Sequence, residues 1–295
     1  MNQKLKRQNF NKNINNKNSK DHRPENNYNS NKNISKSQNI LKLSSNQTII
    51  SGKHSTLSAL KNQNRHLFYL ITTQDNKLFW ENEIKEIGVN IEITIRKKEE
   101  LDVINNHKPH QNIILITKPL ERISLDEFLF KNTNEANIPL RLIILDQVTD
   151  PQNVGAIIRS AHAFKMNGVA LSQRNSPIET AAMSKASSGA IEKIDIIELS
   201  NMSREIVKLQ KSNFTVFGLA NGGNEDISVL ENETGNIAII LGSEGNGLRR
   251  LTKEKADHLI EIPINNDSES LNVSNAASIA MFQLQKNILI KASKT

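Results

Sequence analysis

Apolar residues fall in short runs along most of the chain, and the spacing inside each run predicts its element. His66–Thr73 (HLFYLITT), Val89–Ile95 and Asn112–Thr117 (NIILIT) read as strands, the second by alternation of apolar and polar positions. A helix is expected between 76 and 87. Residues 49–61 read as a turn and a short helix anchored by Leu57 and Leu60. These elements make a small α/β domain over 46–126. Periodicity then fades across 127–139 (EFLFKNTNEANIP), which gathers Asn, ends in Pro139 and reads as a linker. From 140 to 295 the runs return at 141–145 (RLIIL), 168–171 (GVAL), 214–219 (FTVFGL), 237–241 (IAIIL) and 258–263 (HLIEIP), with helical segments between them. Short apolar strands alternating with helices predict a parallel sheet covered on both faces.

Residues 1–45 depart from this pattern. Thirteen of the first forty residues are Asn, and the same stretch holds nine Lys/Arg against two Asp/Glu. Such a segment buries too little apolar surface to offset its ordering entropy, so a disordered tail is expected. The formal net charge of +7 therefore belongs to the tail, because the remaining residues balance. A cationic arm that attracts phosphate backbone and a low-complexity extension without a role are both open readings. The chain has no Cys, which removes disulfides, thiolate metal sites and cysteine nucleophiles. No apolar run reaches the roughly 20 residues that span a bilayer, and the N-terminus lacks the apolar core of a secretory signal. No metal site is expected.

Three segments in the second half lie where a predicted strand ends, the place where open α/β sheets bind ligands. In DPQNVGAIIR (Asp150 to Arg159), Asp150 and Pro151 are an N-cap and a first helical residue. Val154, Ile157, Ile158 and Ala161 then form one buried stripe. Arg159 lies off that stripe above Gly155, whose bare side leaves room beside the guanidinium. Read alone, Arg159 is a solvated helix residue. LGSEGNG (Leu241 to Gly247) has Gly spacing G-x-x-G-x-G, which suits close backbone approach to a ligand and differs from the dinucleotide fingerprint G-x-G-x-x-G. SLNVSNAA (Ser270 to Ala277) opens a helix whose stripe of Val273, Ala276, Ala277, Ala280 and Leu284 is mostly small. Read alone, Ser270 and Asn272 are its caps. Gly52-Lys53-His54-Ser55 fails as a phosphate loop, since Gln47 stands where the first Gly belongs. Phe68, Trp80 and Phe128 read as core.

In order, residue type and separation, the three segments resemble the signature motifs of the SpoU (TrmH-type) branch of the SPOUT RNA methyltransferases. Met183–Ala190 (MSKASSGA) is similar to the family's helix between the first two motifs. Residues 48 to about 125 resemble its small substrate-binding domain, with Gly52-Lys53-His54 matching the opening. Leu248-Arg-Arg-Leu-Thr and the two-domain plan are most similar to the large-subunit rRNA guanosine-2′-O-methyltransferases. The resemblance implies an α/β fold: a C-terminal parallel-sheet SPOUT domain with a trefoil knot, preceded by the small RNA-binding domain. It implies S-adenosylmethionine as cofactor, transfer to a ribose 2′-hydroxyl, RNA as partner (rRNA ahead of tRNA), a homodimer and a cytoplasmic location. Position by position it assigns Gly242, Ile262 and Leu271 to the cofactor, and Arg159, Asn153, Glu244, Ser270 and Asn272 to the reacting site. Gln147 and Gln152 stand where Gly and His are often seen, and Asn275 where Val is frequent. A non-catalytic RNA-binding assembly factor remains a competing reading, as does a dinucleotide-dependent enzyme.

Overall fold

The computed structural model describes residues 43–132, 138–173, 176–177, 179–265, 267 and 270–292. The expected tail lies almost wholly outside these residues, as does the middle of the expected linker.

The first domain is a four-stranded sheet. Its elements are β1 (Thr48–Ser51), α1 (Lys53–Lys61), β2 (Leu67–Thr72), α2 (Lys77–Ile87), β3 (Glu92–Ile95), α3 (Lys98–Ile104) and β4 (Ile113–Thr117). The strand order is β1-β4-β2-β3, with β4 antiparallel to both neighbours and β2 parallel to β3. Alternation along β4 divides the core. Ile113 and Leu115 pack with Leu60, Trp80 and Ile84 on one face, and Ile114 and Ile116 with Ile71 and Leu101 on the other. The strand β1 corrects the expectation that 49–61 opens with a turn. Its two isoleucines are too short a run to show a period, and the strand is fixed by pairing with β4.

The second domain contains β5 (Ile123–Ser124), α4 (Leu125–Asn132), β6 (Arg141–Asp146), α5 (Pro151–Ala163), β7 (Gly168–Ser172), α6 (Ala181–Ser187), β8 (Asp195–Leu199) and α7 (Met202–Lys211). It continues through β9 (Phe214–Leu219), β10 (Glu225–Asp226), β11 (Asn236–Gly242), α8 (Arg250–Lys255), β12 (His258–Glu261) and α9 (Val273–Ala292). Eight strands run in the order β10-β12-β9-β11-β6-β7-β8-β5, all pairs parallel. In β6, Ile143 and Leu145 face α5 and α9, while Leu142 and Ile144 face α4 and α7. Burial on both faces is why the strand is apolar throughout.

One expectation fails at the domain boundary. The first part of 127–139 is not irregular: α4 runs to Asn132, and its Phe128 is fully buried against the second core. The Asn-rich composition that follows hides a short amphipathic turn of helix. Among the described residues no helix is long and apolar enough to cross a membrane.

The two domains meet through a buried cluster. Arg65 follows α1, and its side chain has no exposed surface. Its two Nη atoms donate to the two Glu179 carboxylate oxygens at 2.8 Å each, its Nε donates to Glu192 at 3.2 Å, and Nη1 also reaches the Lys118 carbonyl. Burial works against the charge on Arg65, but hydrogen bonds to Glu179 and Glu192 outweigh it and hold the guanidinium pKa above its ordinary value.

Candidate active site

At the carboxyl end of β11 the chain makes a tight loop. The Gly247 amide donates to the Ser243 carbonyl at 2.9 Å, and Gly245 and Gly247 take left-handed φ values of 86° and 62°. A side chain on Gly242 would run into the backbone of Gly247 and Leu248. The loop can fold back only because that residue has none. Between this loop, the end of β9 and the segment after β12 lies a cavity of about 330 Å³, within the range of small-molecule sites.

All three residues expected to hold a cofactor, Gly242, Ile262 and Leu271, line this cavity, as do Glu244 and Ser270. Leu219, Leu241 and Ala276 add apolar surface. Glu244 and Lys253 are the charged groups of the lining.

The mouth of the cavity is built from three chain segments. Glu244 Oε1 accepts from Asn272 Nδ2 at 2.7 Å, from Asn153 Nδ2 at 3.0 Å and from the Val273 amide at 3.4 Å. Asn272 Nδ2 also reaches Asn153 Oδ1 at 3.1 Å. Each partner is placed by its own element. Asn153 sits in the first turn of α5, where Asp150 caps the Gln152 and Asn153 amides. Asn272 precedes α9 and turns its Oδ1 to the Ser274 amide and hydroxyl, at 2.9 and 2.6 Å. It is therefore both the cap that its residue type suggests and a member of the cluster.

Arg159 is not with them. It is six residues along α5 from Asn153, about 9 Å at 1.5 Å per residue. It is exposed and lines a different cleft, with His54 and Lys61 of α1 and with Lys193. The space expected beside it at Gly155 is filled. A Cβ there would meet the Met183 carbonyl at 2.5 Å and the Ala186 Cβ at 2.7 Å, so Gly155 admits α6 and leaves no room for a ligand.

Some residues that organise the site gave no motif. Asp146 ends β6 fully buried, pairs with Arg249 Nη2 at 2.7 Å and accepts from Thr252 Oγ1 at 2.7 Å. It ties the far side of the glycine loop to the neighbouring strand. An acid closing an apolar strand was the available signal. Glu261, which imitates a dinucleotide acid in spacing, is instead the acceptor for the Gly222 amide at 3.0 Å.

A cleft at the carboxyl ends of a parallel sheet, with a carboxylate–amide cluster at its mouth, defines an α/β enzyme that works with a bound small molecule. The chain belongs to the SpoU rRNA Methylase family, which matches residues 141–282. Residues 49–123 match the RNA 2′-O ribose methyltransferase substrate-binding family. It is an RNA 2′-O-ribose methyltransferase. The 23S rRNA (guanosine-2′-O-)-methyltransferase RlmB of Coxiella burnetii is 37% identical over 202 residues, covering 68% of this chain and 80% of that one. A Staphylococcus aureus protein named for the TrmH family of tRNA/rRNA methyltransferases is 35% identical over 240 residues, covering 80% and 95%. The crystal structure of the SpoU methyltransferase AviRb from Streptomyces viridochromogenes, in complex with AdoMet, shares the fold. Its TM-score is 0.68 at 18% identity, over 83% of this chain and 91% of that one.

Proposed function

We propose that this protein methylates the ribose 2′-hydroxyl of a guanosine in large-subunit rRNA, using S-adenosylmethionine held in the cavity behind Glu244. The observation that carries the reading is the convergence of Asn153 and Asn272 on Glu244, which lines that cavity. The lining suits this cofactor: glycine backbone and aliphatic side chains for an adenosyl group, Glu244 for cationic parts and Lys253 for a carboxylate. When bound, the cofactor supplies a methyl group activated on a sulfonium.

The rest is the work of the chain's own residues. A ribose hydroxyl is a weak nucleophile and sheds its proton as it attacks. Asn153 and Asn272 present amide groups that orient ribose or phosphate at the mouth, and Glu244 fixes both amides. Ser270 shapes the wall. An arginine guanidinium is a fixed cation with directed donors, so Arg159 stabilises the forming alkoxide and does not act as a base.

A homodimer accounts for the separation of Arg159 from the cavity of its own chain, since a second copy can supply it. The exposed Ile279 and Phe282 on α9 give an apolar face for that copy. The rRNA preference is supported by the Coxiella relative; the Staphylococcus relative keeps tRNA as the second reading.

Calorimetric titration tests the cofactor site. S-adenosylmethionine binds the wild type at one site per chain, and Gly242→Val, checked for fold by circular dichroism, loses it. Absence of binding to the wild type would favour a non-catalytic RNA-binding factor.

A further inference from the structure

An Asn–Gly pair is a place where a peptide chain can attack its own side chain, because glycine leaves the following amide unshielded and its backbone free to turn. The chain has three such pairs, Asn167–Gly168, Asn221–Gly222 and Asn246–Gly247. The third lies in the glycine loop that walls the cavity behind Glu244. We propose that Asn246 is a site of spontaneous deamidation, and that the isoaspartyl product opens this loop so that the cavity no longer holds its ligand. The loss of ligand rests on the methyltransferase reading; the modification itself does not.

The reaction consumes only water. The Gly247 backbone nitrogen attacks the side-chain carbonyl carbon of Asn246 and gives up its proton to solvent. The side-chain nitrogen takes up a proton and leaves as ammonia, which closes a succinimide ring. Water then adds to either ring carbonyl. Opening at one carbonyl gives an aspartyl residue on the ordinary main chain. Opening at the other routes the main chain through the side-chain carbon and leaves an isoaspartyl residue, whose main chain is one carbon longer.

Local structure singles out Asn246 among the three. Asn167 Oδ1 accepts from the Arg141 amide at 2.7 Å, and the Asn167 amide donates to the Arg141 carbonyl at 2.8 Å. The glycine after it is buried inside β7, so its side chain cannot turn onto the next amide without opening the sheet. At Asn221–Gly222 the attacking amide is held by the Glu261 carboxylate at 3.0 Å, a charged acceptor. Asn246 is exposed, and among the described residues its side chain makes no hydrogen bond. Gly245 and Gly247 on either side of it have open space where a Cβ would stand. The tie that must break is a neutral one at an exposed turn, from the Gly247 amide to the Ser243 carbonyl at 2.9 Å.

The same loop has no slack for a longer main chain. Its turn is closed by the Ser243–Gly247 bond, and Gly247 lies so close to Gly242 that it cannot move inward. Leu248, the next residue, is buried and packs over Gly218, which pins the chain on that side. An extra carbon between Asn246 and Gly247 therefore breaks the turn and pushes it outward. Gly245, Asn246 and Gly247 all line the cavity, so part of its wall moves away with them.

The test ages the full chain in mildly alkaline buffer and follows the three Asn–Gly peptides by mass spectrometry, with isoaspartyl and aspartyl products separated. The Asn246 peptide converts about tenfold or more faster than the Asn167 peptide, which needs the sheet to open first. Conversion at Asn246 no faster than at Asn167 would overturn the proposal. S-adenosylmethionine titration then counts binding sites per chain. In the aged wild type the count falls in step with the isoaspartyl fraction at position 246. Asn246→Gln, whose longer side chain closes such a ring poorly, keeps through ageing the count it had when fresh. If circular dichroism shows that this variant does not fold, Asn246→Ser is scored in its place. Equal loss of sites in the wild type and the variant would overturn the link between the modification and the cavity. A fresh wild type that binds no S-adenosylmethionine would count against the proposed function, and the peptide ratio would still decide the modification.

Discussion

At the residue scale, the site depends on a few side chains that each perform two tasks. Asn272 caps α9 with its oxygen and meets Glu244 and Asn153 with its nitrogen. That is why its residue type alone could not separate capping from function. Gln147 adopts a left-handed φ of 65°, the conformation a glycine takes freely. Asn153, Glu244 and Asn272 could be singled out because each stands beyond the end of a predicted strand, where open α/β sheets bind ligands. Asp146 could not, since its partners Arg249 and Thr252 are over a hundred residues away in sequence. Arg159 does not line the cavity behind Glu244, so under the proposed function Arg159→Ala should leave S-adenosylmethionine affinity unchanged. If the alkoxide loses its cation, single-turnover methyl transfer should fall by about 10²–10³-fold. Near-normal transfer in that assay would remove Arg159 from the reacting site.

At the element scale, hydrophobic period revealed the strands with an apolar run of their own and missed those that are polar or only two residues long. β6, β7, β9 and β11 lie in the middle of the sheet and are apolar enough to be seen. β8 (DIIEL) is interrupted by Asp195 and Glu198, and β5 and β10 are two residues each, set by their neighbours and not by their own pattern. Gly155 shows the same limit. Its helix is evident from the sequence, but its packing partner is not. Because α6 occupies the space a Cβ would need, Gly155→Ala should force α5 and α6 apart and destabilise the fold by about 1–3 kcal/mol. Urea unfolding measures this, and an unchanged midpoint would mean that the helices have slack. The displacement would also carry Asn153 away from Glu244, so turnover should fall together with stability.

At the scale of the whole described molecule, the small domain is fastened to the catalytic domain by charge, and that joint was invisible in the sequence. Arg65, Glu179 and Glu192 are spread over more than a hundred residues, and nothing in their local sequence marks them as buried partners. Arg65→Ala should cost about 3–5 kcal/mol, because it leaves two carboxylates buried without their cation. Thermal unfolding with a loss under about 1 kcal/mol would show the joint to be dispensable. The fading and return of apolar runs on either side of 127–139 could be read from the sequence, while the helix that occupies the start of that stretch could not. The central claim concerns the substrate of this joined structure. It is tested most directly by offering labelled S-adenosylmethionine with unmodified large-subunit rRNA and, separately, with unmodified tRNA, then mapping ribose methylation. Label on the 2′-oxygen of one guanosine in the rRNA is the predicted result. Label confined to tRNA, or none in either RNA despite bound cofactor, would contradict it.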